Sequence, residues 1–263
     1  MGNNYQLPGL IEINFGFPDF RLKTKLIKKF NFPTVKKLIL ALPEEVREVG
    51  IGGAPLRFDW WEEFIELLEN QKGKNFNLVE KISHLSLKKI DLIHKKTRVK
   101  LYVEIESFGD IKTLLGFNKK YELAMIGLET ACEEPKIVQE ITKLGLPYNI
   151  EMITWATDRI KTKQIQWFLK RGKNLVKKKC GVAEGKLIGL DMKGNFYPCV
   201  ALQFPKFCLG NIYKVKFDKI MTNYWKFMNK ITCDYCCQAR SWNKSKILNK
   251  DFLCNYSDRT LTI

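Results

Sequence analysis

The first 131 residues contain no cysteine, and before residue 180 the only one is Cys132. A metal centre held by several thiolates is therefore excluded from the N-terminal half. Histidine is equally scarce: His84 and His94 are the only two, and their spacing forms no ligand motif. No run of 18 apolar residues occurs, so no transmembrane helix and no membrane partner is expected. The opening MGNNYQLPGLIEINFGF lacks a basic segment followed by a long apolar stretch. It does not read as a secretory signal, and a cytoplasmic setting is expected. There is no phosphate-cradling Walker loop and no Gly-x-Ser-x-Gly elbow, which removes two common routes to catalysis. Low-complexity tracts and fixed-period repeats are also missing.

What is present is a basic chain with the makings of a core. Lys and Arg number 45 against 28 Asp and Glu, a formal net charge of +17, and 45% of the 263 residues are apolar. The charge favours acidic partners, among them nucleic acid and acidic peptides. Most of the lysines are spread along the chain, as on solvated faces. From Arg159 to Lys179 they concentrate, with nine basic residues and no acidic one.

The first 155 residues alternate strand-like and helix-like stretches. Leu10–Phe15, Val46–Gly53, Val99–Ile105, Glu122–Leu128 and Tyr148–Trp155 read as strands. Between and after them, a basic stretch up to about Leu42, Phe58–Asn70, Pro135–Leu144 and Thr162–Gly172 read as helices. Such alternation predicts βα units around a parallel sheet. Five strands with room for a sixth predict a partial barrel. Beyond residue 180 the texture changes. Lys186–Leu190 and Asn195–Cys199 flank Asp191–Gly194 as the arms of a hairpin, with Gly194 placed for a left-handed conformation. A helix-like stretch then runs to about Lys230. The domain boundary is expected near residues 172–180, dividing the chain into 1–175 and 176–263.

Seven of the eight cysteines fall in the last 84 residues. Clustered cysteines that include a C-x-x-C point to metal before disulfides in an intracellular chain. Cys180 and Cys199 are joined by the hairpin, and Cys233 and Cys236 share one tight turn. Four thiolates complete either a cubane cluster or a tetrahedral zinc site. Zinc ribbons pair two close-spaced knuckles, whereas one pair here is long-spaced, which favours iron–sulfur.

The order Cys180-Gly, Gly185, Gly194-Asn-Phe-Tyr-Pro-Cys199, Leu209-Gly-Asn-Ile212, a Trp-bearing helix and Cys233-x-x-Cys236 resembles the SPASM/twitch domain. That module carries an auxiliary cluster behind the barrel of many radical SAM enzymes. The resemblance covers roughly 60 residues and fits the shorter, one-cluster twitch form. It implies Cys180, Cys199, Cys233 and Cys236 as ligands of one [4Fe–4S] cluster, with Cys237 able to replace Cys236, and Cys208 and Cys254 as spare thiols.

The same resemblance implies an α/β fold: a partial (β/α)6-type barrel like the radical SAM core, followed by the small twitch-like domain. Gly52-Gly53-Ala54-Pro55 looks like that superfamily's Gly-Gly-Glu-Pro motif after the second strand, whose backbone meets the amino group of S-adenosylmethionine. Here the Glu is replaced by Ala54. The superfamily's C-x3-C-x2-C loop belongs after the first strand, but the segment Phe15–Lys25 contains no cysteine. Radical cleavage of S-adenosylmethionine is accordingly not expected. The expectation is a degenerate radical SAM-like protein that binds, transfers electrons or scaffolds beside a partner enzyme. Its partner or substrate would be a peptide or protein, or an acidic or nucleic-acid molecule. Two alternatives stand beside it: an enzyme that still binds S-adenosylmethionine or another nucleotide, and a basic nucleic-acid-binding protein whose cysteines hold zinc. Glu104, Glu106, Glu129, Glu133 and Glu134 lie at or after strands, where acid–base chemistry is possible. Tyr213–Phe217 mixes lysine with aromatics in a way compatible with nucleic acid.

Overall fold

The computed structural model describes residues 8–15, 30–105, 108–118, 125–128, 148–150, 185–198, 203 and 205–229. The chain divides into two compact units. The first comprises Met1–Val79, Leu92–Lys100 and Gly181–Ile231; the second comprises Glu80–Asp91, Leu101–Cys180 and Thr232–Ile263. The boundary expected near 172–180 lies outside the described residues.

The first unit is built on β1 (Leu10–Asn14), β2 (Glu48–Gly52) and β3 (Asn75–Lys81), all parallel. On the other side of β1 lies β7 (Leu187–Leu190), also parallel, which continues antiparallel into β8 (Asn195–Tyr197) and β9 (Gly210–Asn211). The registers align Ile11 and Ile13 with Val49 and Ile51 on one side and with Ile188 and Leu190 on the other. Phe76 and Leu78 extend the same rows across β3. None of these eight side chains is more than 1% exposed. Because side chains alternate along a strand, one face of the sheet is wholly apolar.

Helices α1 (Phe32–Leu40) and α2 (Trp61–Glu69) bury Val35, Leu38 and Ile39, and Phe64, Ile65, Leu67 and Leu68. α1 begins at Asn31, whose side chain accepts the Thr34 amide at 3.0 Å, with Pro33 in the first turn. Phe15 continues the apolar row beyond β1 and meets Phe64 of α2 at a 5.6 Å ring separation, which puts the helices on that face. Phe58 and Trp60 stack at 4.6 Å beside them, so Trp60 belongs to an aromatic cluster around Phe15, as a core tryptophan does.

α2 is tied to the strand-bearing segment after it by Glu69. Its carboxylate accepts the amides of Thr97 and Arg98 at 3.2 and 3.0 Å and the Thr97 hydroxyl at 2.9 Å. Partial burial raises the carboxyl's pKa, but those hydrogen bonds outweigh it, and the group is held below its ordinary value. This anchor is present above the normal carboxylate range and is lost as pH falls through it.

In the second unit, β4 (Val99–Ile105, inside this unit from Leu101), β5 (Met125–Leu128) and β6 (Tyr148–Ile150) pair in parallel. α3 (Leu87–His94) and α4 (Phe108–Asn118) supply buried Ile90, Ile111 and Leu114. Sequence periodicity recovered β1, β2, β4, β5 and β6 but left 71–98 unassigned, although β3 and α3 lie there. The alternation in Asn75–Lys81 is masked by apolar Val79 at an outer position and by Glu80 at a buried one.

Candidate functional site

The other face of the first sheet carries its polar side chains, beside Leu10. Glu12 of β1 stands level with Gly50 of β2, which stands level with Asn77 of β3, and Glu48 stands level with Asn75. Asn75 and Asn77 both donate their side-chain amides to the Glu48 carboxylate, at 2.7 and 3.3 Å. A Cβ at Gly50 would lie in ordinary van der Waals contact with Leu10 and Glu12, at 3.6 and 3.9 Å. Glycine there keeps room over the middle of the sheet. Sequence reasoning missed this face. Its signal was Asn75 and Asn77 alternating with Phe76 and Leu78 at the start of β3.

The predicted Gly52–Pro55 motif forms the turn that leaves the C-terminal end of β2. Gly53 and Ala54 are both left-handed, at φ 81° and 59°, and Pro55 then opens a short 3-10 turn ending at Arg57. The carbonyls of Gly52 and Ala54 accept the amides of Phe15 and Arg57, at 3.0 and 3.3 Å. The turn is thus held by its own backbone. Gly53 adopts its conformation freely, but Ala54 pays a steric penalty for its Cβ. Among the described residues, Ala54 is the non-glycine residue with positive φ. Strain of this kind concentrates at functional turns. Ala54→Gly is therefore expected to stabilise the chain by ~0.5–1 kcal/mol, read as a higher urea midpoint at unchanged slope.

The hairpin expected between residues 186 and 199 is present as β7 and β8. Its turn is organised by Asp191, whose carboxylate accepts the amides of Lys193 and Asn195 at 2.8 and 2.9 Å, the Asn195 side chain at 3.0 Å and the Tyr197 hydroxyl at 3.1 Å. Gly194 takes the left-handed conformation predicted for it, at φ 82°. Burial first, and then the Asp191 charge, push the Tyr197 hydroxyl well above its ordinary pKa, so it stays a donor. Asp191→Ala would leave these donors without an acceptor and is expected to cost about 2 kcal/mol in a urea unfolding curve. α5 (Phe217–Met228) packs back onto the hairpin: the fully buried Tyr224 donates its hydroxyl to the Leu187 carbonyl at 3.0 Å.

Of the other expected residues, Cys180, Cys199, Cys233 and Cys236 lie outside the described residues, as do Cys132, Cys237, Cys254, Glu106, Glu129, Glu133 and Glu134. Cys208 is described, free and exposed, and its thiol points to the Gly210 carbonyl at 3.8 Å. No group of three or more potential metal ligands occurs among the described residues.

Three solved structures share this arrangement. One is anSMEcpe with bound AdoMet and the Cp18Cys peptide, at TM-score 0.59 and 12% identity, with 95% of each chain covered. The second is Streptococcus suis SuiB bound to the precursor peptide SuiA, at TM-score 0.53 and 11% identity, covering 95% of this chain and 76% of that one. The third is BtrN in complex with AdoMet and 2-DOIA, at TM-score 0.52 and 13% identity, covering 85% and 87%. The chain shares the fold of these structures, which are radical SAM proteins. The expected α/β partial-barrel class therefore holds. At these identities the likeness is one of fold, and no protein-family model and no curated protein matches the chain.

Within this fold two details were invisible in the sequence. His84, given no role by its spacing, accepts or donates at Nδ1 to Glu80, 2.8 Å away, and Glu80 is fully buried at the C-terminal end of β3. Lys89 in turn donates to the His84 carbonyl at 2.7 Å. No helix among the described residues is long and apolar enough to cross a membrane.

Proposed function

We propose that this chain is an iron–sulfur protein of radical SAM fold that holds one [4Fe–4S] cluster on Cys180, Cys199, Cys233 and Cys236. Residues 1–175 would form the degenerate barrel and 176–263 the twitch-like domain. The observation that carries this reading is the β7–β8 hairpin. Its Asp191-centred turn with left-handed Gly194 stands between two of the four cysteines, where the one-cluster module requires a hairpin. The donor set is all thiolate, which suits a cubane. When bound, such a cluster supplies one-electron transfer or a clamp between distant parts of the chain. With no cysteine in the segment after β1, the cluster that cleaves S-adenosylmethionine has no ligands within this chain. The protein then works as a binding, electron-transfer or scaffolding component of a modification system. Peptides in two of the structures that share its fold favour a peptide as the molecule handled.

Anaerobic purification with iron, sulfide and zinc analysis and an absorbance spectrum tests the cluster. About four irons and four sulfides per chain are expected. One zinc without sulfide would overturn the reading in favour of a zinc protein.

A second reading, an enzyme that still binds S-adenosylmethionine, is favoured by the strained Gly53-Ala54 turn. Backbone turns of this type approach a ligand closely because no side chain intervenes. Titration calorimetry with S-adenosylmethionine decides it. Measurable heat abolished by Gly53→Val would support retained binding; no heat at millimolar ligand would remove it.

A further inference from the structure

We infer that an exposed face of the first unit, formed by Tyr213–Lys216 and a lysine from α1, docks a peptide segment that combines carboxylates with apolar side chains. Among the described residues, the large apolar side chains left exposed are Leu40, Leu87, Tyr213 and Val215, at 57%, 51%, 41% and 38%. Two of the four fall in this one tetrapeptide. A third, Leu40, lies one helical turn beyond Lys37, the residue whose ammonium sits 4.8 Å above the Tyr213 ring. Apolar surface gathered in this way marks an interaction site more often than scattered exposure does.

The apolar pair is ringed by charge of one sign. Lys37, Lys193, Lys214 and Lys216 are all exposed. Lys193 directly precedes Gly194, where a Cβ would come within 2.7 Å of the Tyr213 edge. The acidic residues closest along the chain are Asp191, whose carboxylate is consumed by the hairpin turn, and Asp218 in the first turn of α5.

The face is also preformed. Asn211 accepts the Tyr213 amide on its side-chain oxygen at 3.0 Å and the amides of Lys214 and Val215 on its carbonyl at 3.0 and 3.1 Å. Its side chain donates to the Lys193 carbonyl at 2.9 Å, which locks the two loops together. A rigid surface loses little entropy when it binds.

Four ammonium groups around Tyr213 and Val215 call for carboxylates interleaved with apolar groups. Nucleic acid fits less well. It would satisfy the lysines through phosphates but leave Val215 without a partner. Stacking of a base also needs an open ring face, and Lys37 already covers one. The inference uses none of the Gly52–Pro55 turn or the cysteines, and it goes beyond the proposed cluster function. Iron content measured on the same samples separates failure of one from failure of the other.

The test is fluorescence anisotropy on the full chain with three labelled probes: a peptide alternating glutamate and leucine, one alternating glutamate and serine, and an oligouridylate. The glutamate–leucine peptide is expected to bind most tightly. Its Kd should rise about tenfold in the Lys214→Glu/Lys216→Glu variant and about threefold in Val215→Ser. Both variants change exposed positions and are expected to fold. Equal affinity for the glutamate–serine peptide would overturn the apolar half of the inference. Tighter binding of the oligouridylate through the same lysines would make the face a nucleic-acid site. Peptide binding indifferent to both variants would overturn the inference entirely.

Discussion

Cys233→Ala is expected to abolish most of the iron and sulfide of the anaerobically purified protein, taking about four of each per chain toward zero. The argument is one of ligand number. A cubane on four thiolates that loses one retains an iron without a protein ligand, and the remaining sulfurs hold a labile, incompletely ligated cluster. The sequence holds no histidine beyond His94, so no histidine neighbours the C-terminal cysteines along the chain. Cys237 is the neighbouring thiol, one position beyond Cys236, and the Cys236→Ala variant reports whether it substitutes. Cys208→Ser is the matched control. Cys208 is exposed, with its thiol directed to the Gly210 carbonyl, and its replacement should leave the metal content unchanged. Metal content that survives Cys233→Ala, or that vanishes with Cys208→Ser, would sink the proposed ligand set. If the cluster clamps segments more than 50 residues apart, as from Cys180 to Cys233, its loss will also lower thermal stability by several degrees.

Gly185→Ala is the second large effect, expected to destabilise the first unit by about 2–3 kcal/mol. Two penalties coincide there. The backbone sits at φ 67°, which a Cβ disfavours by ~1 kcal/mol. The same Cβ would approach the Trp225 ring to 2.8 Å, so the indole must be displaced. Trp225 packs edge-on against Tyr224 at 5.5 Å, and Tyr224 is fully buried with its hydroxyl on Leu187. Displacement of Trp225 therefore disturbs the seat of α5 on β7. A urea titration followed by tryptophan fluorescence measures the change. A midpoint within error of wild type would show that the indole swings aside freely, and the close approach would then carry no stability. The glycine in the Cys180–Gly185 segment thus has a packing reason that is separate from metal binding.

How legible the chain is depends on the kind of information asked for. The sequence alone determined features whose physics is local. A short apolar run located β1, a run ending in glycines β2 and period-two alternation β4; a basic, helix-like stretch up to about Leu42 marked α1; and an Asp followed three residues later by Gly marked the β7–β8 turn. The cysteine order and the lack of thiols after β1 are likewise properties of the sequence. The tertiary structure decided what depends on partners far apart. β7 pairs in parallel with β1, although Leu10 and Leu187 are 177 positions apart; no local pattern encodes which edge a strand joins. β3 emerged only once Phe76 and Leu78 were set against Val49 and Ile51, because Val79 outside and Glu80 inside break the alternation. The same pairing turned Glu48, Asn75 and Asn77 into one polar group, and a separate long-range contact set Lys37 over Tyr213. Periodicity tells that two faces differ; only the long-range register tells which residues meet on them, since that meeting is settled by the burial of the whole sheet.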